Sequence, residues 1–368
     1  MKIILSVTND LVTDQRVHKV CTSLSENGYE VKLLGRKMKN SSDLNRNYKT
    51  NRFRLIFNKS FLFYAEYNIR LFFYLLFEKT DIYLSNDTDT LLANYLASCI
   101  RRKPLVFDAH EMFPEVPEVV NRKRVKLFWT ALENWIFPKL KYCYTVCQSI
   151  ADVYNRKYSI DMRVIRNIPF AKKEKNECEF LRKEQDKKII LYQGAVNVGR
   201  GIDRVIDAMP YLDDFVFYVV GGGDILEEMK DKVKRQNLED KVFFTGQVPF
   251  EQLPGYTAYA DIGVNFLENK GLNYYYSLPN RIFDYIRSEI PILSVDFPEI
   301  RKIVQQYGIG LLINDYSPEN IAKAIKQLST SEKNKTGFQK ANEELTWENE
   351  AIILTEMMKK VKIDFFRF

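Results

Sequence analysis

The sequence predicts an α/β chain of two doubly wound parallel-sheet domains, and three observations predict it. Short apolar runs alternate with helical patterns almost from end to end, as right-handed βαβ units require. The 368 residues exceed what one ordinary core holds and suit two domains of roughly 150 to 200 residues. A charged, apolar-poor stretch over residues 171–188, "AKKEKNECEFLRKEQDKK", breaks the pattern near the middle and reads as a linker.

In the first half, strands are expected at residues 2–7, 30–34, 52–57, 82–84, 104–108, 142–146 and 163–165, with helices between most of them. In the second half they are expected at 188–193, 215–220, 242–245, 262–265, 291–295 and 310–313. Sheets of this kind bind ligands beyond the carboxyl ends of their strands, so two such domains facing each other would hold a ligand in a cleft. The closing segment, "TWENEAIILTEMMKKVKIDFFRF", has helical periodicity behind a cap at Thr346 and could pack back on the first domain. The expected division is therefore 1–170, 171–345 and a terminal helix within 346–368.

Apolar residues at 46% and charged residues at 28% exclude a disordered chain. No apolar run reaches the roughly 20 residues that span a bilayer, and the first residues lead into structured pattern rather than a signal peptide. A cytoplasmic protein is expected. The five cysteines, Cys21, Cys99, Cys143, Cys147 and Cys178, have no zinc-site spacing and read as buried thiols. Residues 1–170 carry 27 Lys and Arg against 17 Asp and Glu, whereas the rest carries 28 against 31. Nucleic acid, an anionic membrane, an acidic substrate or mere solvation would each account for that basic half. No helix-turn-helix, zinc-finger or RNP signal accompanies the charge, which argues against nucleic acid. Residues 52–79 and 121–141 interleave Lys and Arg with Phe, Trp and Tyr, a pattern shared by membrane-interface segments and by helices flanking a sheet.

Motifs concentrate at strand ends. In "LYQGAVNVGRGIDRVIDAM", Gly194, Gly199 and Gly201 let backbone approach a ligand, and Arg200 adds a cation suited to phosphate at a helix start, although a plain βα turn explains the glycines alone. In "FYVVGGGDILEEM", Gly221, Gly222 and Gly223 leave room for a flat group such as a nucleobase, or simply make a turn, before an N-cap at Asp224. Gly246, Gln247 and Val248 form a third such end. In "YYYSLPNRIFDYIRSEIPIL", Ser277, Leu278, Pro279 and Asn280 turn into a helix whose first amides lack partners, with Arg281 just inside: an anion site. Asp284, one turn on, could accept hydrogen bonds from vicinal hydroxyls. In the basic half, "PLVFDAHEMFPE" sets Asp108, His110 and Glu111 beyond an apolar strand, where His110 is better sited for chemistry than His18, the other histidine. The D-x-D of Asp87 and Asp89 reads either as a metal motif or, more simply, as a helix start.

Together these residues resemble glycosyltransferase family 4, retaining enzymes of the GT-B fold that use nucleotide-sugar donors. "VTNDLVTDQRVHKVCTSLSENGYEVKLLGR" is similar to the family's first strand, active-site loop and first helix; "FDAHE", "YTVCQSIAD" and "VIRNIP" are similar to later elements of the acceptor domain. The resemblance implies an acceptor domain first and a donor domain second, with His110 contacting the donor sugar and Asp14, Arg16 and Glu111 lining the acceptor side. In the family's donor signature two glutamates are separated by seven residues; here Asp284 is a shortened second glutamate and Tyr276 replaces the first. Arg200 stands at the family's diphosphate Lys, Ala195 where Arg is common, and Arg281 could supply the missing charge. The resemblance implies no metal and no cofactor, the nucleotide-sugar being a substrate. It further implies a sugar or lipid-linked sugar acceptor, as in bacterial surface-polysaccharide assembly, with peripheral membrane contact through the basic domain. A nucleotide-sugar 2-epimerase of related architecture and a non-catalytic nucleotide-sugar binder are the alternatives.

Overall fold

The computed structural model describes residues 1–12, 14–39, 41–171 and 187–366. Most of the expected linker, with Cys178, lies outside the described residues. Two compact units are present, Met1–Asn167 with Trp347–Phe368, and Ile168–Thr346.

The first unit is built on seven parallel strands: β1 (Lys2–Asp10), β2 (Glu30–Arg36), β3 (Lys49–Phe53), β4 (Ile82–Asn86), β5 (Leu105–Ala109), β6 (Tyr142–Thr145) and β7 (Met162–Val164). They lie in the order β3-β2-β1-β4-β5-β6-β7. The helices are α1 (Gln15–Glu26), α2 (Ser60–Phe77), α3 (Thr88–Arg101), α4 (Pro117–Val120), α5 (Lys123–Ile136) and α6 (Gln148–Tyr158), joined by the terminal helix described below. Side chains alternate across a strand, so β1 sends Ile3, Leu5 and Val7 into one core and Ile4 into another with Tyr67, Leu71 and Leu75 of α2. Helices therefore cover both faces.

The second unit carries six parallel strands: β8 (Lys188–Gln193), β9 (Phe215–Val220), β10 (Val242–Gly246), β11 (Ile262–Asn265), β12 (Ile292–Val295) and β13 (Gly310–Ile313), ordered β10-β9-β8-β11-β12-β13. Around them lie α7 (Ile202–Ala208), α8 (Leu226–Arg235), α9 (Leu253–Ala258), α10 (Leu272–Tyr275), α11 (Asn280–Arg287), α12 (Pro298–Tyr307), α13 (Pro318–Thr330) and α14 (Lys335–Glu344). Strand order reverses between β1 and β4 in one sheet and between β8 and β11 in the other. Ligand sites in doubly wound sheets form beyond the strand ends at such points.

The terminal helix α15 (Trp347–Phe366) belongs to the first unit. Trp347 donates its indole N–H to Ser23 Oγ at 2.8 Å, and Glu350 accepts from the Arg166 backbone N–H and side chain. Leu354, Met357, Met358 and Val361 are fully buried, worth roughly 1.5–3 kcal/mol each.

Three local expectations differ. The third strand ends at Phe53, because β2 ends opposite it and the backbone N–H groups of Ile56 and Phe57 turn to the Glu66 carboxylate. Helix α8 is preceded by Ile225 at the cap position, Asp224 instead donating its backbone N–H to Asn197 Oδ1. Cys21, Cys143 and Cys147 are buried thiols, but Cys99 is exposed near the end of α3, on its solvent face.

Candidate functional site

In the second unit the predicted residues gather around the ends of β8 and β9. The glycines divide by what a Cβ would meet. At Gly201, Gly221 and Gly223 it would lie within 2.3 Å of the carbonyl oxygens of Phe266, Gly194 and Val196, so close backbone packing alone demands glycine there. At Gly194 it would meet the Arg281 guanidinium at 3.3 Å, and at Gly199 the side chains of Lys270 and Tyr274. At Gly222 it would touch only Gln247, at 3.8 Å, which leaves a shallow slot beside β9 and the exposed Gln247. Val248 is half-buried and packs on the core.

Arg281 occupies the first turn of α11, on the helix face that carries Ile282, Tyr285 and Ile286 into the core. It is 6% exposed, its guanidinium lies 4.2 Å from the Tyr192 ring centroid, and its buried Nη1 has no hydrogen-bond partner. Arg200 lies over the Tyr274 ring at 4.9 Å, with its buried Nε also unpartnered. A buried donor left unpaired costs about 1–3 kcal/mol, so both need an explanation. The two cations lean on one segment, because Ser277 donates its hydroxyl to the Tyr274 carbonyl and leads through the half-buried Leu278 into α11. Pro279 precedes α11 and no side chain caps it, so amides at Asn280 and beyond open the helix without a side-chain acceptor. Tyr276 ends α10, its ring tilted against Tyr275. Cations and a helix start at one strand end can hold a diphosphate-like anion.

Asp284 Oδ2 accepts from Gln193 Nε2 at 2.7 Å, while Gln193 Oε1 accepts from the Thr257 hydroxyl at 2.7 Å. Gln193 and Thr257 thus fix the carboxylate from below. Sequence reasoning missed both, although a polar residue closing the apolar run "KIILYQ" is the available signal. A cavity of about 430 Å³ flanked by α7 and α8 includes Gly199 but neither arginine. Its charges at Lys232 and Lys270 already pair with Asp207 and Glu268.

In the first unit His110 sits between two carboxylates. Its Nδ1 is 3.2 Å from Asp87 and its Nε2 3.2 Å from Asp108, while its backbone N–H donates to Asp87. Burial alone would lower the imidazole pKa, but the two negative charges outweigh it and lift the group to about 9. Burial would likewise raise Asp108, yet Arg16 and His110 hold it at about 2. Both ring nitrogens are therefore committed, and His110 reaches a ligand only by releasing one carboxylate.

Arg16 and Asp14 are both engaged by intramolecular bonds. Arg16 is 4% exposed, forks onto both oxygens of Asp108 at 2.7 and 3.0 Å, and donates to the Ile165 carbonyl. A guanidinium so satisfied is a strut between α1 and the strand ends. Asp14 caps α1 by accepting from Val17 N at 3.0 Å and also accepts from Asn9. Glu111, half-buried, does join the carboxylates at this strand end, its charge acting on Asp87 and Asp89. Asp87 and Asp89 hold His110 and Thr8 rather than each other, and no cluster of three or more metal-ligating side chains occurs among the described residues.

Residues 14–169 match the family model "Glycosyltransferase Family 4", and residues 173–345 match "Glycosyl transferases group 1". A GDP-mannose-dependent alpha-(1-6)-phosphatidylinositol monomannoside mannosyltransferase of Mycobacterium tuberculosis is 25% identical over 134 residues, 35% of each chain, so the match spans about a third of that relative's length. Sucrose-phosphate synthase from Thermosynechococcus elongatus superposes with a TM-score of 0.78 at 17% identity, over 99% of this chain and all of the other. Anabaena HepE in complex with UDP-glucose gives 0.74 at 14% identity, over 98% of this chain and all of the other. The two family matches between them take in nearly the whole sequence, each on one parallel-sheet unit, and the chain belongs to the GT-B glycosyltransferases.

Proposed function

We propose that the chain transfers a sugar, with retention, from a nucleoside-diphosphate sugar to an acceptor hydroxyl, without a metal. The observation that carries this reading is the buried Arg281 guanidinium, its Nη1 unpartnered and its Nη2 facing Gly194, in the first turn of a helix that no side chain caps. Breaking the bond between the anomeric carbon and the diphosphate leaves charge on the phosphate oxygens; Arg281, Arg200 and the first amides of α11 stabilise it where it develops. The acceptor oxygen bonds to the anomeric carbon on the face the diphosphate leaves, its proton passing to the departing phosphate oxygen. Asp284, steadied by Gln193, takes the ribose hydroxyls, and the slot at Gly222 and Gln247 takes the base. The mycobacterial relative is named for GDP-mannose and the Anabaena neighbour holds UDP-glucose, so both bases belong in any screen.

The acceptor side of the proposal is a lipid-linked sugar at a membrane surface, on the cytoplasmic face where nucleotide-sugars are made. Phe61 and Leu62 at the start of α2 and Leu127 and Phe128 of α5 are exposed, with Phe61 and Phe128 in ring contact at 6.5 Å. Lys59, Arg122, Lys123 and Arg124 flank them, also exposed, as an anionic bilayer surface would require. No described helix is long and apolar enough to cross a membrane. The test is incubation with UDP-glucose, GDP-mannose or ADP-glucose and a bacterial lipid extract. Transfer to lipid, with the donor's anomeric configuration kept in the product, supports the proposal. Isomerised free nucleotide-sugar, or no turnover of any donor, refutes it.

A further inference from the structure

We infer that the strand ends of the first unit hold a binding site for a hydroxylated ring, a sugar or polyol head group, formed by Asp89, Asn68, Arg36 and Tyr64. The inference rests on the acceptor reading above and names the part of the acceptor this unit grips.

Asp89 lies in the first turn of the 14-residue helix α3 but does not cap it; Asp87 holds the cap position and is committed to His110. Asp89 is 7% exposed, accepts from the Thr8 hydroxyl through Oδ2, and has no partner for its buried Oδ1. Asn68 of α2 spends its amide N–H groups on the carbonyls of Tyr64 and Asp89, at 2.9 and 2.7 Å, which leaves its buried Oδ1 without a donor. Arg36 ends β2 over the Phe63 ring, 4.7 Å from its centroid, and its buried Nε finds no acceptor. Two acceptors and one charged donor are thus left unpaired; Asn68 is bonded to the Asp89 carbonyl, and the charges of Asp89, Glu111 and Arg36 all act on the Tyr64 hydroxyl, which places all four side chains around Tyr64.

That set fits vicinal hydroxyls, each of which donates and accepts. A phosphate would satisfy Arg36 alone and be repelled by Asp89. A cation would satisfy the acceptors and be repelled by Arg36. Burial lifts Asp89 to about 7 against the pull of the Thr8 hydroxyl, so near neutrality it can accept or donate. Tyr64 offers a half-buried ring, set edge-on to Trp129 at 5.4 Å, against which an apolar sugar face can lie. Trp129 in turn contacts Phe128, so the site runs directly into the exposed apolar patch where a lipid tail would follow its head group.

The test is saturation-transfer NMR on the full chain with methyl glycosides of glucose, galactose, mannose and N-acetylglucosamine, and with myo-inositol. At least one probe should bind, and Asp89→Ala and Tyr64→Ala should each weaken it at least tenfold. UDP- or GDP-induced melting shifts, which report the other unit, should stay unchanged in both variants. If Asp89→Ala fails to fold, Tyr64→Ala carries the test, its side chain being half-exposed. Binding by no probe, binding that survives both substitutions, or binding displaced by nucleotide would overturn the inference. Loss of the nucleotide shift in the unmodified protein would instead sink the donor reading and leave this site standing.

Discussion

Replacing Arg281 with Met should leave the free protein about as stable as before and nearly abolish nucleotide binding. Met fills a similar volume, so no large cavity opens. The substitution gives up a cation–π contact with Tyr192 worth about 0.5–2 kcal/mol and removes a buried unpaired donor that costs about 1–3 kcal/mol. These effects oppose and nearly cancel. On the nucleotide side, one charge-assisted hydrogen bond to a phosphate is worth about 1.5–3 kcal/mol, or roughly 10- to 150-fold in affinity. A diphosphate present at a hundred times its dissociation constant stabilises the unmodified protein by about 2.7 kcal/mol; a hundredfold loss leaves about 0.4 kcal/mol. Thermal melts with and without UDP and GDP measure both effects together. A variant that loses several kcal/mol of intrinsic stability yet keeps its nucleotide shift would show Arg281 to be a structural residue and the reasoning wrong.

Trp129, Trp135 and Trp347 all belong to the first unit, so tryptophan fluorescence follows that unit alone. His110 is raised from 6.5 to about 9, so its contribution, up to roughly 3 kcal/mol, is complete below pH 6.5 and lost as pH climbs through 9. His110→Gln should flatten that loss in urea melts at pH 6 to 9.5; an unchanged slope would refute the assignment. Burial raises Glu133, held by the Tyr154 and Tyr158 hydroxyls, to about 7, so its contribution is complete below pH 4.5 and lost as pH rises through 7. Glu133→Gln keeps an acceptor for one hydroxyl and can donate its amide N–H to the other, as a protonated carboxyl would, and should make the unit more stable at pH 8 but not at pH 4; destabilisation at both would contradict this. Phe61→Ser with Phe128→Ser should weaken sedimentation with phosphatidylglycerol vesicles at least tenfold, and equal retention on these and on phosphatidylcholine vesicles would argue against an anionic-membrane face.

The buried strands were legible because a parallel strand covered on both faces is a continuous apolar run, as in "KIILYQ" and "FVFYVV". The edge strand "KTNRF" is half-exposed along most of its length and carries no such run, so the apolar residues just beyond it attracted the assignment. Arg281 was legible because a cation at the start of an otherwise apolar helix face has few reasons to be there. The bidentate pair of Arg16 with Asp108 was not legible, because Asp108 lies 92 residues away and no local pattern shows it. Separations of 81 and 64 residues likewise hide Thr8 from Asp89 and Thr257 from Gln193, polar contacts that only the sheet order brings together. Which glycines serve backbone packing and which face open space was equally invisible, since the difference lies in what stands opposite a missing Cβ.

Isothermal titration of the unmodified protein with UDP and GDP, and with uridine and guanosine, tests most directly whether the strand end carrying Arg281 and Arg200 holds a diphosphate. At least one diphosphate should bind, with its nucleoside weaker by a hundredfold or more, because the buried Arg281 and the half-buried Arg200 each keep a buried N–H without a hydrogen-bond partner beside an uncapped helix start. A nucleoside that binds as tightly as its diphosphate, or no binding by either diphosphate, would contradict the account.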